Sequence, residues 1–384
     1  MAKVLFEITE GHLDTGLRGF PVGTVWTSRV DPEKGVTYVG RPIAELVDRE
    51  PEEIMYLLLH KELPTPEQRR AFSEELARRS GVPPKVMELL SHLPREAHPM
   101  EWFIAGLLYM GMLTKTGDYR EDGLNLIARV SEVVAAVFRF REGWGDPIAP
   151  KPELGYTENF AHMLGVPDAH PELPRVLRLF HILHYDHGGG NLSTFTGRAV
   201  ASGLADIYVS MASAMAGLYG PRHGRANQDA LNFVEEIGNP DKEYVKSYVE
   251  RCLREGKLVF GFGHAVLRAE DARATLEYEM GQRYFPDDRN VQICLALREV
   301  APPILKATGR VADPYANVDA VSGSILRASG LKDSDYYSVL FGWSRTVGIS
   351  AQIIDERLYF RGGRGVAIYR PLYPFREKGG KGKA

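Results

Sequence analysis

The stretch Gly-Leu-Asn-Leu-Ile-Ala-Arg-Val-Ser-Glu-Val-Val-Ala-Ala-Val-Phe-Arg-Phe-Arg-Glu, residues 123–142, carries apolar side chains at helical spacing on most of its faces. A helix of that kind is a central element surrounded by other helices. A second stretch, 196–219, has the same character, so both belong at the centre of one large helical core. Outward from them, helical periodicity predicts further segments at roughly 83–93, 100–113, 156–165, 171–187, 225–237, 242–255, 270–285, 290–307 and 333–360. Thr65-Pro66-Glu67 is a helix start, with an N-cap hydroxyl, Pro in the first turn and an early acid, and the polar helix after it runs to about Ser80. No repeat of 20–50 residues is present, which argues against a solenoid.

The ends read differently. Residues 5–45 hold short β-like runs, notably Thr24 to Thr27 and Val36 to Val39, divided by Gly and Asp-Pro turn signals. Gly365 to Pro371 returns to β-like alternation, and the Gly/Lys-rich tail from Lys378 to Ala384 reads as frayed. The expected fold class is therefore mainly α, multi-helical, with short β segments near both termini.

A length of 384 residues implies one large domain with a smaller companion. Apolar residues make up 44% and charged residues 25%, which excludes a disordered or collagen-like chain. A net charge of −3 gives no general attraction for nucleic acid or an anionic membrane, so neither is expected as a partner. The charge-free stretch from Ile207 to Pro221 is 15 residues long, against the about 20 that a membrane span needs. Two cysteines, Cys252 and Cys294, form no Cys-x-x-Cys pattern and read as buried apolar side chains in a reducing interior. The amino-terminal stretch lacks the apolar core of a signal peptide and carries Glu7 and Glu10, unlike an acid-poor transit peptide. The expected location is cytoplasmic.

Three separated segments place one ionisable group each among small or turn-forming residues: Gly220-Pro221-Arg222-His223-Gly224, Gly261-Phe262-Gly263-His264, and Ala316-Asn317-Val318-Asp319-Ala320. Two imidazoles and a carboxylate are sufficient to remove a proton beside a carbonyl and steady the enolate that results. Asp319 opens an apolar stretch, where its pKa could rise into the range of a general base; a helix N-cap is the competing reading. His223 and His264 in their turns read equally as surface or structural histidines. His181, His184, Asp186 and His187 are spaced so that two could share a metal ion, yet no His-Glu-x-x-His pattern or nearby Cys supports zinc, and no metal is expected. The Gly188-Gly189-Gly190-Asn191 run suggests instead a helix end closing round a ligand. Arg268, Arg273, Arg345 and Arg370 interrupt apolar or turn contexts, and several forked guanidinium groups on one site would suit a small dicarboxylate.

These segments, in order and wording, resemble the catalytic stretches of citrate synthases, and the likeness runs from about Gly16 to Pro371. Pro42 to Leu46, Tyr56 to Leu59, Leu63-Pro64 and His98-Pro99-Met100 are similar to the family's amino-terminal landmarks. Its most specific part extends from Asp186-His187 through Gly189-Gly190-Asn191-Leu192-Ser193 to Gly224, and His264-Ala265-Val266-Leu267-Arg268 resembles the eukaryotic-type wording. The resemblance implies a tricarboxylic acid cycle transferase that condenses acetyl-CoA with oxaloacetate through citryl-CoA, needing no cofactor because the CoA thioester is a substrate. It implies that Asp319 removes the methyl proton, His223 donates to the thioester oxygen and His264 polarises the oxaloacetate ketone. Oxaloacetate binding would fall to His187, Asn191, Arg273 and Arg345, with Arg370 arriving from the partner of a homodimer. CoA would meet Arg268 and the loop holding Val259, Gly261 and Gly263. The implied domains are a large helical one, 1–224 with 332–384, and a smaller one, 225–331, that closes over substrate.

Several positions depart from the family pattern: Gly188 replaces a glutamate, Ala272 the proline before Arg273, Lys61 a common glycine, and Leu372 a second arginine found in many bacterial members. A 2-methylcitrate synthase using propionyl-CoA shares every feature above, since one methylene is worth about 1–3 kcal/mol in a pocket. A non-catalytic relative that binds CoA or a dicarboxylate is the alternative of another class, and retention of His223, His264 and Asp319 together argues against it.

Overall fold

The computed structural model describes residues 4–264, 266–309 and 313–374. After a short 3-10 turn (Glu10–His12) comes a three-stranded antiparallel meander, β1 (Ser28–Asp31), β2 (Gly35–Tyr38) and β3 (Arg41–Pro42), in which Ser28 pairs with Tyr38 and Tyr38 with Arg41. The Asp31 carboxylate closes the first turn by accepting the Glu33 and Lys34 N–H groups at 3.1 Å each. Helices follow: α1 (Pro51–His60), α2 (Pro66–Arg79), α3 (Pro84–Ser91), α4 (Pro99–Thr114), α5 (Tyr119–Glu142), α6 (Tyr156–Leu164), α7 (Leu173–His184), α8 (Leu192–Ser202) and α9 (Ile207–Tyr219). The second half contains α10 (Ala226–Ile237), α11 (Lys242–Arg254), α12 (Ala272–Tyr284), α13 (Arg289–Ala307), α14 (Asp319–Ala328) and α15 (Tyr337–Ile354). Among the described residues the fold is thus mainly α, and no helix is long and apolar enough to cross a membrane.

The central helix forms as its sequence requires. Asp118 caps α5 by accepting the N–H groups of Arg120 and Glu121, and Gly143 ends it in the left-handed conformation. Between those ends Leu126, Ile127, Val130, Val133, Val134, Val137 and Phe138 are all buried. Each such side chain contributes about 1.5–3 kcal/mol on leaving water. Helix α15 is buried at every position but Phe341, which is half-buried, and packs against α5, α7 and α9, so α5 and α15 are the paired axis of the core.

Some expectations need correction. The stretch 196–219 is two helices, because Leu204 takes a positive φ of 67° and Asp206 restarts the chain as N-cap of α9, its carboxylate accepting Val209 N–H at 3.0 Å. Helices α1 and α14 are absent from the periodicity reading. Helix α1 has only ten residues and a continuous apolar run, a pattern that suits strand and helix equally. Helix α14 carries Ser322, Gly323 and Ser324, poor helix formers, and packs on α10, α12 and α13. Thr24 to Thr27 lies before β1 rather than in it, and Gly365 to Pro371 forms no strand, its anchor being Tyr369, bonded through its N–H to Ser202 Oγ and through its hydroxyl to Glu356. The frayed-tail expectation for 378–384 lies outside the described residues.

Candidate active site

The loop between α7 and α8 is built first, by a buried carboxylate. Asp186 accepts the N–H of His187 at 2.9 Å and Nε2 of Gln352 at 2.8 Å, and the Thr27 hydroxyl also donates to it. Ser28 Oγ accepts the Gly188 N–H at 2.7 Å, so the β meander clamps the loop from one side while α15 clamps it from the other. Gly348 makes that second contact possible, because a Cβ there would lie 2.2 Å from the Tyr185 carbonyl oxygen. Asn191 then caps α8: its Oδ1 accepts from Thr194 N–H at 3.0 Å and Ser193 Oγ at 2.9 Å, and its Nδ2 reaches back to the His187 carbonyl at 3.3 Å.

The capped turn presents Ser193 to His223, which comes from the tight turn after α9. Ser193 N–H donates to His223 Nε2 at 3.2 Å, and Ser193 Oγ lies 2.9 Å from the same nitrogen. A backbone N–H can only meet a lone pair, so Nε2 is the unprotonated nitrogen and Nδ1 carries the proton. Burial, followed by the positive Arg345, pushes the imidazole pKa down to about 4. His223 is therefore a neutral N–H donor at pH 7.

His264 is fixed by a different route to the same kind of donor. Its Nδ1 accepts the Val266 N–H at 3.0 Å and the Leu267 N–H at 2.9 Å, which leaves the proton on Nε2. Burial and then the Arg273 charge lower its pKa. The His264 ring stands edge-on to His187, with centroids 5.6 Å apart.

The segment before His264 is zipped to the segment before Asp319. Gly263 N–H donates to Tyr315 O at 2.9 Å, Asn317 N–H donates to Gly261 O at 3.0 Å, and Asn317 Nδ2 donates to Gly263 O at 2.9 Å. Gly261, with φ of 81°, packs where a Cβ would lie 2.6 Å from Ala320 Cα. This ladder brings two motifs separated by more than fifty residues into one site. It also decides the competing reading of Asp319. Asn317 Oδ1 accepts the Asp319 N–H at 3.0 Å, and α14 has no side-chain cap from its N-cap residue, Val318. Asp319 is the first residue inside the helix, its carboxylate is free of capping work, and burial pushes its pKa up to about 6 despite the opposing Arg273.

Two arginines complete the inner wall. Arg345 is 2% exposed, donates from Nε to the His184 carbonyl at 2.9 Å and stacks 4.7 Å from the Phe341 ring centroid. It forms no ion pair among the described residues, so its charge is available to an incoming anion. Arg273 is equally buried but not equally free. Asp271 holds it through Nη2 to Oδ2 at 2.6 Å and Nε to Oδ1 at 3.1 Å, and Nη1 is the end without an internal bond among the described residues. The same Asp271 caps α12, so it presents Arg273 even though Ala272 stands where the family has proline. His187 has a buried Nε2 without a partner and a pKa well below its usual value, from burial first and then Arg273 and Arg345.

The outer residues are more open. Arg268 is exposed, with its N–H on Pro32 O at 2.8 Å and its guanidinium on the carbonyls of Val266 and Leu267 at 3.1 and 2.6 Å. Val259 is buried. Arg370 is exposed on the carboxy-terminal arm and makes no hydrogen bond or ion pair among the described residues. Phe341, whose ring lies 5.0 Å from His184 and 6.5 Å from His223, had no signal in the sequence. His181 and His184 are core histidines: His181 stacks on Trp343 at 3.7 Å, and His184 Nδ1 donates to Phe180 O at 2.8 Å. Among the described residues no three His, Cys, Asp or Glu side chains are grouped to hold a metal.

The profile of the family described as "Citrate synthase, C-terminal domain" matches residues 16–372. Citrate synthase 4, mitochondrial, of Arabidopsis thaliana is 39% identical over 96% of this chain and 82% of its own length. The peroxisomal citrate synthase of Saccharomyces cerevisiae is 35% identical over 97% and 85%. A structure titled as a ternary complex of carboxymethyl coenzyme A and oxaloacetate with citrate synthase from Thermoplasma acidophilum superposes with a TM-score of 0.81, at 26% identity over 97% of this chain and 98% of the other. The mitochondrial and peroxisomal names of such relatives overturn the cytoplasmic expectation, which rested on composition and leader chemistry, neither of which identifies a compartment. With a family profile matched over residues 16–372 and relatives of this identity over nearly its whole length, the chain belongs to the citrate synthase family of acyltransferases.

Proposed function

We propose that the geometry performs the condensation of acetyl-CoA with oxaloacetate by the following division of work. Ionised Asp319 removes a proton from the acetyl methyl group while His223 Nδ1–H donates to the thioester oxygen, so the C–H electron pair becomes the C=C bond of the enol(ate). His264 Nε2–H donates to the oxaloacetate ketone oxygen; the enol carbon attacks the ketone carbon, a C–C bond forms, and the former ketone oxygen takes the proton. Water then cleaves the citryl thioester, giving citrate and CoA. Keeping both histidines neutral and the base poised near pH 6 allows proton transfer without any strongly charged acid or base in the site.

The observation that carries this reading is the complementary tautomer pair: each imidazole has one nitrogen occupied by backbone N–H groups and the other left as a donor. His187, Arg345 and Nη1 of Arg273 would hold the dicarboxylate, with Asn191 shaping the turn that presents His187. Arg370, exposed and unpaired in one protomer, would complete the site of a second protomer in a homodimer. Val259, Gly261, Gly263 and Arg268 would contact CoA, Arg268 through its phosphates. Residues 225–331 would move as a small domain against 1–224 and 332–384, and the hinge would lie near Gly224.

Release of free CoA from acetyl-CoA and oxaloacetate tests the reading, with propionyl-CoA as the comparison and Asp319→Ala as the control. Acetyl-CoA turnover that falls by about 10²–10⁴ in the variant is expected. A folded protein that releases no CoA from either thioester would overturn it.

A further inference from the structure

One buried acid beside this site has no task in the scheme above. Glu277 lies four residues after Arg273 on α12, hence on the same helix face, and is 3% exposed. Its Oε2 has no hydrogen-bond partner. Facing it from α14 is Ser322, one turn after Asp319, 2% exposed and also unpartnered at Oγ. The two line a cavity of about 10 Å³, the space of about one water molecule, whose other walls are apolar side chains such as Leu179 and Phe180 of α7 and Ile325 of α14.

The charges around Glu277 come from two places. Asp319 at the start of α14 and Asp271 at the start of α12 are both acidic, and the single nearby cation, Arg273, is already bound by Asp271. Tyr278, its neighbour on α12, is neutral at pH 7, and α7 offers only apolar groups to the cavity. An unpaired carboxylate buried in such a place costs several kcal/mol, and it avoids that cost by taking up a proton. Burial, followed by the Asp319 charge, raises the Glu277 pKa well above its usual value.

We propose that Glu277 remains a neutral carboxylic acid behind Asp319, so that the pair holds one negative charge and that charge sits on Asp319. The inference rests on the reading of Asp319 as the base. Of the two carboxyls, Asp319 is the more exposed and the one that feels Arg345 as well as Arg273, so it ionises first. Once it has, the second ionisation is opposed by the first. A neutral Glu277 also makes no claim on Nη1 of Arg273, the end that Asp271 leaves unbonded among the described residues.

Glu277→Gln in the full-length enzyme keeps both shape and neutrality. The expected result is kcat/KM for oxaloacetate within about twofold of the parent and an acid limb of the pH profile still near pH 6. The infrared absorption of protonated carboxylic acid near pH 7.5 should also fall by one carboxyl. Glu277→Met, likewise neutral, carries the same expectation should the glutamine variant not fold. An acid limb that moves down by about one pH unit would mean that Glu277 had been ionised beside Asp319 and would overturn the proposal. So would an infrared band unchanged by either substitution. Failure of the underlying reading looks different: the parent enzyme would lack an acid limb near pH 6 and Asp319→Asn would retain turnover, whatever the infrared count.

Discussion

Asp319→Asn should lower turnover by about 10²–10⁴ and, at neutral pH, make the protein more stable. The carboxyl has a pKa of about 6 in the folded chain against an ordinary 3.8, so the folded state holds the proton more tightly than the unfolded state does. Stability is therefore greatest below about pH 4, declines as pH rises through about 6, and stays reduced above that. Holding its proton up to about pH 6 rather than 3.8, at 1.36 kcal/mol for each pH unit, makes the ionised Asp319 carboxylate cost about 3 kcal/mol at pH 7. Asparagine fills the same space, cannot ionise and removes that cost. Urea denaturation of parent and variant at equal protomer concentration, at pH 7 and again near pH 4, measures the difference. The variant should lead by about 3 kcal/mol at pH 7 and the lead should vanish near pH 4, while kcat falls by about 10²–10⁴. A variant no more stable than the parent at pH 7, or a lead that persists in acid, would refute the inference that burial raises the Asp319 carboxyl.

Other substitutions probe the scaffold. Gly261→Ala places a methyl 2.6 Å from Ala320 Cα at a positive φ, so it should destabilise by about 1–3 kcal/mol and lower kcat with it, read by thermal melting and steady-state kinetics. Ser193→Ala removes the hydroxyl from His223 Nε2 but keeps the N–H, so kcat should drop by about tenfold while the fold is unchanged by circular dichroism. Arg345→Lys loses the planar fork and the Phe341 stack, and KM for oxaloacetate should rise by about tenfold or more, measured at saturating acetyl-CoA. Co-expressed Asp319→Asn and Arg370→Ala chains should recover about a quarter of parental activity if Arg370 acts across a dimer, because half of the randomly mixed dimers then have one complete site of two. Activity that stays at the level of the separate variants would place Arg370 outside the partner's site.

The sequence by itself determined the elements whose signals are local. Periodic apolar residues mark α5, and Thr65-Pro66-Glu67 marks the start of α2, where Thr65 does accept the Gln68 N–H. The wording around His223, His264 and Asp319 was likewise sufficient to select the family, because each motif is a short run whose turns need those residues. The tertiary structure decided what depends on groups that arrive through space. It split 196–219 at Leu204, and it formed α14 from a serine- and glycine-containing stretch by packing it against α10 and α12. It chose the proton position on each histidine, through Ser193 for His223 and the backbone after His264 for the other. It relieved Asp319 of capping by giving that work to Asn317, turned Arg273 toward Asp271, and left Glu277 with no partner. Caps and periodicity act over a few residues and are written in order along the chain. Burial, and Ser193 thirty residues from His223, exist only once the helices have packed; Val266 and Leu267 at His264, Asn317 at Asp319 and Asp271 at Arg273 act within three residues, but in turns whose conformation the packed fold holds.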